Sequence, residues 1–346
     1  MKNHEYYMRR CLDLAKNGLG RVAPNPMVGC VLVKNDTIIG EGFHRTYGET
    51  HAEVNAIGSV KNPDDLKEAT IYVSLEPCAH QGKTPPCADL IIELGIPRVV
   101  IAQSDPNPKV AGRGIEKLRA AGIEVTTGVL EEEAKEFNRR FRTFHEEKRP
   151  YVILKWAMTA DGYMDSVRPE DKKGIFWISS PETKKLVHQW RAEEGAILIG
   201  KRTLEVDDPS LDTRDYFGKD PLRVVLVGDK ELLPGRRILI DGKPTLIIGK
   251  KQRGFDGGAV EFAEPEQDDL SEAALTALYE RNINSVIIEG GAYTIQRLLE
   301  SRIWDEARII QSTHTLGGGL EAPKIPQQHS AFYSYGRDKV FLYRNK

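Results

Sequence analysis

The stretch from His51 to Cys87 organises the first half of the chain. It reads HAE at residues 51–53 and LEPCAHQGKTPPC at residues 75–87. One imidazole and two thiols, at His51, Cys78 and Cys87, make three ligands of the kind that zinc prefers. Three protein ligands leave the fourth tetrahedral position open for water, as a catalytic rather than a structural zinc site requires. The stretch therefore predicts a zinc hydrolase centre with one Zn²⁺ per chain.

Glu53 is the candidate catalytic residue of this centre, because it lies two residues after His51 in the same predicted helix. Zinc lowers the pKa of bound water to roughly 7, and a neighbouring carboxylate can then carry the proton. A glutamate in this position is typical of zinc base deaminases. Eight residues separate Cys78 from Cys87, where the short form of the motif has two, so the residues between them must loop out and return.

An alternative interpretation is a pair of buried cysteines beside a surface histidine, since free cysteine is often simply buried. Cys78 and Cys87 lie in polar, proline-rich segments, where burial for packing alone is disfavoured. The metal interpretation is therefore preferred, with His80 as the remaining competitor for a ligand position.

The composition limits the classes of function. A length of 346 residues favours about two domains, and 49 Lys plus Arg against 51 Asp plus Glu disfavour a basic nucleic-acid surface. No apolar signal segment or membrane-length apolar run is visible. The other two cysteines, Cys11 and Cys30, do not make a disulfide framework. We expect a cytoplasmic homo-oligomer that binds neither nucleic acid nor membrane.

Helical and strand periodicities alternate along the first half. They predict helices over residues 4–17, 51–60, 87–94, 114–121 and 130–147, and strands over 27–33, 37–43, 70–75, 98–102 and 123–127. Both His51 and Cys87 would begin helices, where the helix dipole favours a thiolate. This alternation predicts an α/β layer structure.

A charged run ending at Pro150 predicts a domain boundary, with one domain over residues 1–147 and another over 148–346. The second half again alternates, with strands over 151–157, 196–200, 222–227, 245–248 and 285–289 and helices over 181–193, 270–281 and 293–299. No G-x-G-x-x-G motif follows its first strand, so the usual dinucleotide fingerprint is missing. Gly290 and Gly291 between a strand and a helix would let a phosphate approach backbone N–H groups, which is a weak signal alone.

Several motifs together resemble the bifunctional riboflavin-biosynthesis deaminase/reductase family. They are PNPMVG at 24–29, HAE at 51–53, EPCAHQGKTPPC at 76–87 and DPNPKVAGRG at 105–114. Residues 155–162, 200–214 and 288–291 are similar to the three motifs of the family's reductase domain. The resemblance implies an α/β protein with an N-terminal cytidine-deaminase-like three-layer domain and a C-terminal dihydrofolate-reductase-like domain.

The resemblance also implies site residues. Asn25 would bind the pyrimidine, with His44 and Lys83 beside it, although a strand-end histidine without a ligand describes His44 equally well. Residues that would contact NADPH are Ala157, Trp177, Thr203, Asp207, Gly291, Ala292, Tyr293, Thr294, Ile295, Gln296 and Arg297. Residues that would contact the reductase substrate are Arg191, Leu211, Arg214 and Glu289. The two arginines suit its phosphate, because a guanidinium forks onto phosphate oxygens; without the family, Arg191 would be taken as a solvated helix charge.

The implied function is two consecutive steps of riboflavin biosynthesis on a phosphorylated pyrimidine. The first is zinc-dependent hydrolytic deamination of 2,5-diamino-6-(5-phosphoribosylamino)pyrimidin-4-one. The second is NADPH-dependent reduction of the ribosyl chain to give 5-amino-6-(5-phosphoribitylamino)uracil. Two places depart from the family: Val227-Gly228 stands where Asp-Ser is usual, and residues 165–175 form a charged insertion. A nucleoside or tRNA-base deaminase and a zinc-stabilised binding module are the competing hypotheses.

Overall fold

The computed structural model describes residues 3–79, 85–107, 110–167, 173–250, 252, 258–266 and 269–345. The chain divides into two compact units, Met1–Lys148 and Arg149–Lys346. His80, Lys83 and part of the predicted insertion, residues 168–172, lie outside the described residues. Across the described ranges, none of the helices combines the length and the hydrophobicity that a membrane span needs.

The first unit is a mixed sheet with helices on both faces. Its helices are α1 (His4–Ala15), α2 (Ala52–Gly58), α3 (Cys87–Glu93), α4 (Arg113–Ala120), α5 (Glu131–Phe137) and α6 (Arg139–Glu146). Its strands are β1 (Gly29–Lys34), β2 (Thr37–Phe43), β3 (Thr70–Val73), β4 (Arg98–Ile101) and β5 (Glu124–Thr127). The strand order is β2-β1-β3-β4-β5, with β1 antiparallel to both neighbours and β3, β4 and β5 parallel.

The alternation of side chains along β1 builds the two layers of core. Successive side chains of a strand point to opposite faces. Cys30 and Leu32 pack with residues of α2, α3 and α4, whereas Val31 and Val33 pack with residues of α1 and α5. Each face of the sheet is therefore covered by helices, which gives three layers.

The prediction of one helix over residues 130–147 is wrong, because the segment forms α5 and α6 with a break at Asn138. Asn138 has φ −96° and ψ 24°, and its side chain is buried. Its Oδ1 accepts from the Met27 N–H at 2.9 Å and its Nδ2 donates to the Met27 carbonyl at 3.0 Å. These two bonds fix the position of Asn138, and its ψ of 24° lies outside the range of a regular α-helix. The break thereby anchors the segment that follows Asn25.

The second unit is a larger sheet, again with helices on both faces. Its helices are α7 (Pro181–Glu193), α8 (Lys201–Asp207), α9 (Arg237–Ile240), α10 (Leu270–Glu280) and α11 (Ala292–Ser301). Its strands are β6 (Tyr151–Met158), β7 (Tyr163–Asp165), β8 (Ala196–Gly200), β9 (Leu222–Gly228), β10 (Thr245–Gly249), β11 (Val260–Ala263), β12 (Ser285–Ile288), β13 (Glu306–Gln311), β14 (Leu320–Glu321), β15 (Ala331–Tyr335) and β16 (Asp338–Arg344).

The order of the main sheet is β11-β10-β9-β8-β12-β6-β13-β16-β15, and β7 pairs separately with β14. The strands from β11 to β13 are parallel, whereas β16 and β15 add an antiparallel edge. Val152 and Leu154 pack toward α10 and α11, while Tyr151 and Ile153 pack toward α7 and α8. In open parallel sheets, ligands bind beyond the carboxyl ends of the strands. The ends of β6, β8 and β12 are therefore where a site is expected.

Candidate active sites

The three predicted metal ligands meet at one point of the first unit. His51 is the N-cap residue of α2, Cys87 is the first residue of α3, and Cys78 lies in the loop that follows β3. His51 Nδ1 lies 3.6 Å from Cys78 Sγ and 3.3 Å from Cys87 Sγ. The Cys87 N–H donates to Cys78 Sγ at 3.3 Å. Residues that are far apart in sequence thus present three ligand atoms within 4.8 Å of one another.

These separations fit a zinc ion. Zn–S bonds of about 2.3 Å and Zn–N bonds of about 2.0 Å at a tetrahedral angle place nitrogen and sulfur about 3.5 Å apart. The observed 3.6 and 3.3 Å lie on either side of that value. The donor set, one imidazole and two thiols, is also that of catalytic zinc deaminases.

The two thiols differ in their acidity. The hydrogen bond from Cys87 lowers the pKa of Cys78 to about 4, and the bond to His51 acts in the same direction. The pKa of Cys87 is raised well above its usual value by its bond to Cys78 and by burial. A single negative charge is thus favoured on Cys78, and a thiolate is the form in which cysteine binds metal.

Glu53 lies in the first turn of α2 and is 4% exposed. Burial raises its pKa to about 7, and the negative charge favoured on Cys78 acts in the same direction. A carboxyl group with a pKa near the working pH can both accept and donate a proton. Its environment is therefore suited to general acid-base work.

Asn25 and His44 form a pair beside the metal ligands. Asn25 Nδ2 lies 3.1 Å from His44 Nε2, and His44 Nδ1 lies 3.1 Å from the Thr50 carbonyl. Burial lowers the pKa of His44, which favours the neutral ring. The neutral tautomer with hydrogen on Nδ1 donates to Thr50 and accepts from the Asn25 amide. His44 thus fixes the orientation of Asn25, and its ring centroid lies 5.6 Å from that of His51.

A cleft of about 990 Å³ lies at the carboxyl ends of the central strands in the second unit. Most of the predicted reductase residues line it: Ala157, Trp177, Arg191, Thr203, Asp207, Leu211, Glu289, Gly291, Ala292, Tyr293, Thr294 and Arg297. Arg214 lines a smaller adjoining pocket together with Arg191. Two predicted residues lie elsewhere: Ile295 is buried in the core, and Gln296 donates to Glu300 on the helix surface.

The glycines before α11 form a close backbone cradle in this cleft. A Cβ on Gly290 would lie 3.0 Å from side-chain atoms of Ile199 and Thr203. Gly291 has φ 75°, a conformation that other residues rarely adopt. The turn leads into the amino terminus of a ten-residue helix, where backbone N–H groups are free of helical partners. These features fit a dinucleotide phosphate.

Lys155, Glu289 and Arg191 form a buried ion cluster at the floor of the cleft. Arg191 donates from Nε and Nη2 to the two oxygens of Glu289 at 2.7 and 2.9 Å, and from Nη1 to the Asp212 carbonyl. Lys155 Nζ lies 3.4 Å from Glu289. Arg191 is therefore neither a solvated helix charge nor a free fork for phosphate. Lys155 was not predicted as a site residue, although a lysine within the apolar run YVILKWA indicates a buried charge that needs a partner.

Replacing Glu289 by Gln should destabilise the second unit. The Glu289 side chain is 6% exposed; burial alone would raise its pKa, but the charges of Arg191 and Lys155 hold it at about 2. Glu289→Gln would leave two buried cations facing each other, so we expect the free energy of unfolding to fall by about 3–5 kcal/mol at pH 7.

All four tryptophans of the chain lie in the second unit, so tryptophan fluorescence during urea unfolding measures this change. The folded pKa of Glu289 is depressed, so its contribution is present above the unfolded value of about 4.3 and is lost as the pH falls toward 2. The difference between Glu289→Gln and wild type should shrink over that window. Glu280→Gln, at an exposed residue of α10, is the matched control. Equal stability of Glu289→Gln and wild type at pH 7 would contradict the expected role.

Comparison with known proteins identifies the family. Residues 1–103 match the cytidine and deoxycytidylate deaminase zinc-binding region, and residues 150–331 match the RibD C-terminal domain. The riboflavin biosynthesis protein RibD of Aquifex aeolicus is 40% identical over 320 residues, which cover 91% of this chain and 88% of that protein. The chain belongs to the RibD family. The RibD protein of Escherichia coli is 35% identical over 330 residues, 90% of this chain and 88% of that protein.

Solved RibD-family structures agree with this assignment. The diaminohydroxyphosphoribosylaminopyrimidine deaminase/5-amino-6-(5-phosphoribosylamino)uracil reductase of Thermotoga maritima matches with a TM-score of 0.88 and 39% identity, covering 99% of this chain and 98% of that chain. Acinetobacter baumannii RibD matches with a TM-score of 0.87 and 32% identity over the same shares. The predicted fold class is confirmed, as is the prediction of a riboflavin-biosynthesis enzyme with a zinc-binding deaminase domain and a reductase domain.

Proposed function

We propose that residues 1–147 deaminate diaminohydroxyphosphoribosylaminopyrimidine and that residues 148–346 reduce 5-amino-6-(5-phosphoribosylamino)uracil, the two activities named for the T. maritima relative. The observation that carries the proposal is the pairing of two sites on one chain. One unit holds the His51, Cys78 and Cys87 cluster beside a buried carboxyl, and the other holds a cleft large enough for a dinucleotide.

In the deaminase unit, His51, Cys78 and Cys87 would hold zinc, which when bound supplies an activated water. Glu53 would accept one proton from water and deliver it to the ring nitrogen. It would then pass the proton of the newly added hydroxyl group to the amino group, which leaves as ammonia while the ring carbon becomes a carbonyl. Burial of Glu53 supports this role. It raises the pKa of the carboxyl group to about 7, so that the group can both accept and release a proton near neutral pH. Asn25, whose side-chain nitrogen is held by His44, would bind the pyrimidine through its side-chain carbonyl oxygen.

In the reductase unit, we propose NADPH as the hydride donor. The Gly290-Gly291 cradle and the amino terminus of α11 would hold its phosphates. Three cations that line the cleft, Arg202, Lys230 and Arg297, suit the additional phosphate that distinguishes NADPH from NADH. The protein mainly orients the cofactor and the ribosyl carbon, since hydride chemistry belongs to the cofactor.

Recognition of the substrate phosphate is assigned chiefly to Arg214. It lines the pocket next to Arg191 and is more exposed than that residue, with a side-chain exposure of 43% against 13%. It pairs with Asp212. Arg191, fixed by Glu289, shapes the pocket wall and retains further N–H groups toward it.

Arg214→Ala should lower kcat/KM for NADPH-dependent reduction by about 10- to 100-fold, because a charge-assisted bond to phosphate is lost. Ammonia release from the diamino substrate by Arg214→Ala protein should be unchanged. Asp207→Ala, at a proposed NADPH contact, should likewise lower the rate of reduction and leave ammonia release unchanged. NADPH oxidation followed at 340 nm with the deaminated substrate measures the effect. Arg281→Ala, which removes an arginine paired with Glu261 outside the cleft, is the matched control. An unchanged kcat/KM in Arg214→Ala would overturn the phosphate assignment.

A further inference from the structure

The carboxylate of Glu76 is buried two residues before the metal ligand Cys78. Its exposure is 4%, and it accepts four backbone N–H groups. Oε2 accepts from Asp105 at 3.2 Å and Gly112 at 2.9 Å, and Oε1 accepts from Gly114 at 2.8 Å and Ile115 at 3.3 Å. Hydrogen bonds to a charged acceptor are among the stronger ones in proteins, so this carboxylate is firmly fixed.

The four donors belong to or directly follow the motif at residues 105–114, for which the two reactions provide no role. Gly114 of this motif also lies against the loop of residues 74–79 that carries Cys78, called here the ligand loop. A Cβ on Gly114 would lie 2.0 Å from the carbonyl oxygen of Pro77, the residue between Glu76 and Cys78. Gly112 has φ 79° immediately before α4, and the N–H groups of Gly112, Gly114 and Ile115 point toward the carboxylate. Residues 112–115 thus pack closely against Glu76 and Pro77.

The other side of the ligand loop is held by α3. The Ala88 N–H donates to the Cys78 carbonyl at 3.1 Å, and the Cys87 N–H donates to Cys78 Sγ at 3.3 Å. The Glu76 N–H donates in turn to the Gln103 carbonyl at 3.0 Å. Cys78 is therefore held between α3 on one side and the anchored Glu76-Pro77 dipeptide on the other.

We propose that Glu76 is a positioning residue, which fixes the thiolate of Cys78 at the metal centre by anchoring its loop to residues 105–115. This inference rests on the proposed zinc site of His51, Cys78 and Cys87. Residues that orient metal ligands without touching the metal typically change metal affinity by 10- to 100-fold when replaced. The role of the 105–114 motif is then to supply the donors that hold Glu76.

The test measures zinc release from the full chain. Glu76→Gln places an NH₂ group against backbone N–H donors, so we expect zinc to transfer to an excess of a chromophoric chelator about 10- to 100-fold faster than from wild type. The thiolate-to-metal absorption of the Co²⁺-loaded protein should shift, because the geometry of Cys78 changes. In Gly114→Ala the added Cβ would collide with the Pro77 carbonyl oxygen without altering any charge. This variant should change the rate of zinc release and the Co²⁺ absorption in the same direction as Glu76→Gln.

Ser74→Ala is the matched control, since Ser74 is buried in the same loop and its hydroxyl accepts from the Gly29 N–H at 3.1 Å. A positioning role predicts that the gap in Tm between metal-loaded and metal-free protein narrows in Glu76→Gln and Gly114→Ala but not in Ser74→Ala. Unchanged zinc release and an equal loss of Tm in both forms would overturn the inference. Retention of zinc by Cys78→Ser would instead overturn the proposed metal site.

Discussion

Glu53→Gln protein should release ammonia from the diamino substrate at least about a hundredfold more slowly than wild type, the usual scale for a general acid-base group. Glutamine keeps the shape and the hydrogen-bonding size of the side chain but cannot carry the proton. The three ligand atoms are untouched, so zinc content should stay at about one ion per chain. Ammonia release in a coupled assay, together with metal analysis of the same sample, measures both.

Glu41→Gln is the matched control for Glu53→Gln, because Glu41 lies in the same unit and pairs with Arg10 instead of facing the metal ligands. The control should retain normal deamination. Glu53→Gln should also oxidise NADPH normally when supplied with the deaminated substrate, since its change lies in the other unit. Near-normal ammonia release from Glu53→Gln would contradict the proposed role of this carboxyl group in proton transfer.

Cys78→Ser and Cys87→Ser should each lose nearly all bound zinc and, with it, deamination. A serine hydroxyl stays neutral at pH 7 and is a far weaker zinc ligand than a thiolate, so either change removes one of three protein ligands. Zinc per chain after gel filtration in the presence of a mild chelator measures the loss. Reduction of the deaminated substrate should persist, which shows that the second unit is intact.

Cys11→Ser provides the control for the thiol substitutions. Cys11 is fully buried and donates to the Tyr72 carbonyl at 3.4 Å, and it lies outside the cluster of ligand atoms. The Cys11→Ser protein should keep its zinc. Full metal occupancy in Cys78→Ser and Cys87→Ser would exclude these thiols from the metal site.

The metal centre was accessible from the sequence because its chemistry is local. His51 begins one helix, Cys87 begins another, and ligand type and spacing are visible in the printed chain. The α/β layer structure likewise follows from the alternation of helices and strands, whereas the order of the strands does not. The spacing of residues in the sequence could not predict the ion pair of Lys155 with Glu289. The two residues are 134 positions apart and come together only because β6 and β12 are neighbours in the sheet.

Other features of the structure could not be predicted from the sequence, for physical reasons. The break at Asn138 depends on hydrogen bonds to Met27, 111 positions away, which no local helical pattern contains. The strand β15 is mostly exposed on both faces, so its residues show no apolar alternation to read. The anchoring of Glu76 was missed similarly, because a lone glutamate before Pro-Cys does not indicate which backbone donors will surround it.

The most direct test of the two-step activity is to incubate the protein with the diaminopyrimidinone phosphate, with and without NADPH, while ammonia and NADPH are measured separately. We predict one ammonia per substrate in the absence of NADPH, with the ribosyl chain unreduced. With NADPH present, one NADPH should be oxidised for each ammonia released, and the product should carry a ribityl chain. Ammonia release that requires NADPH, or NADPH oxidation without ammonia release, would contradict a chain that deaminates in one unit and then reduces in the other.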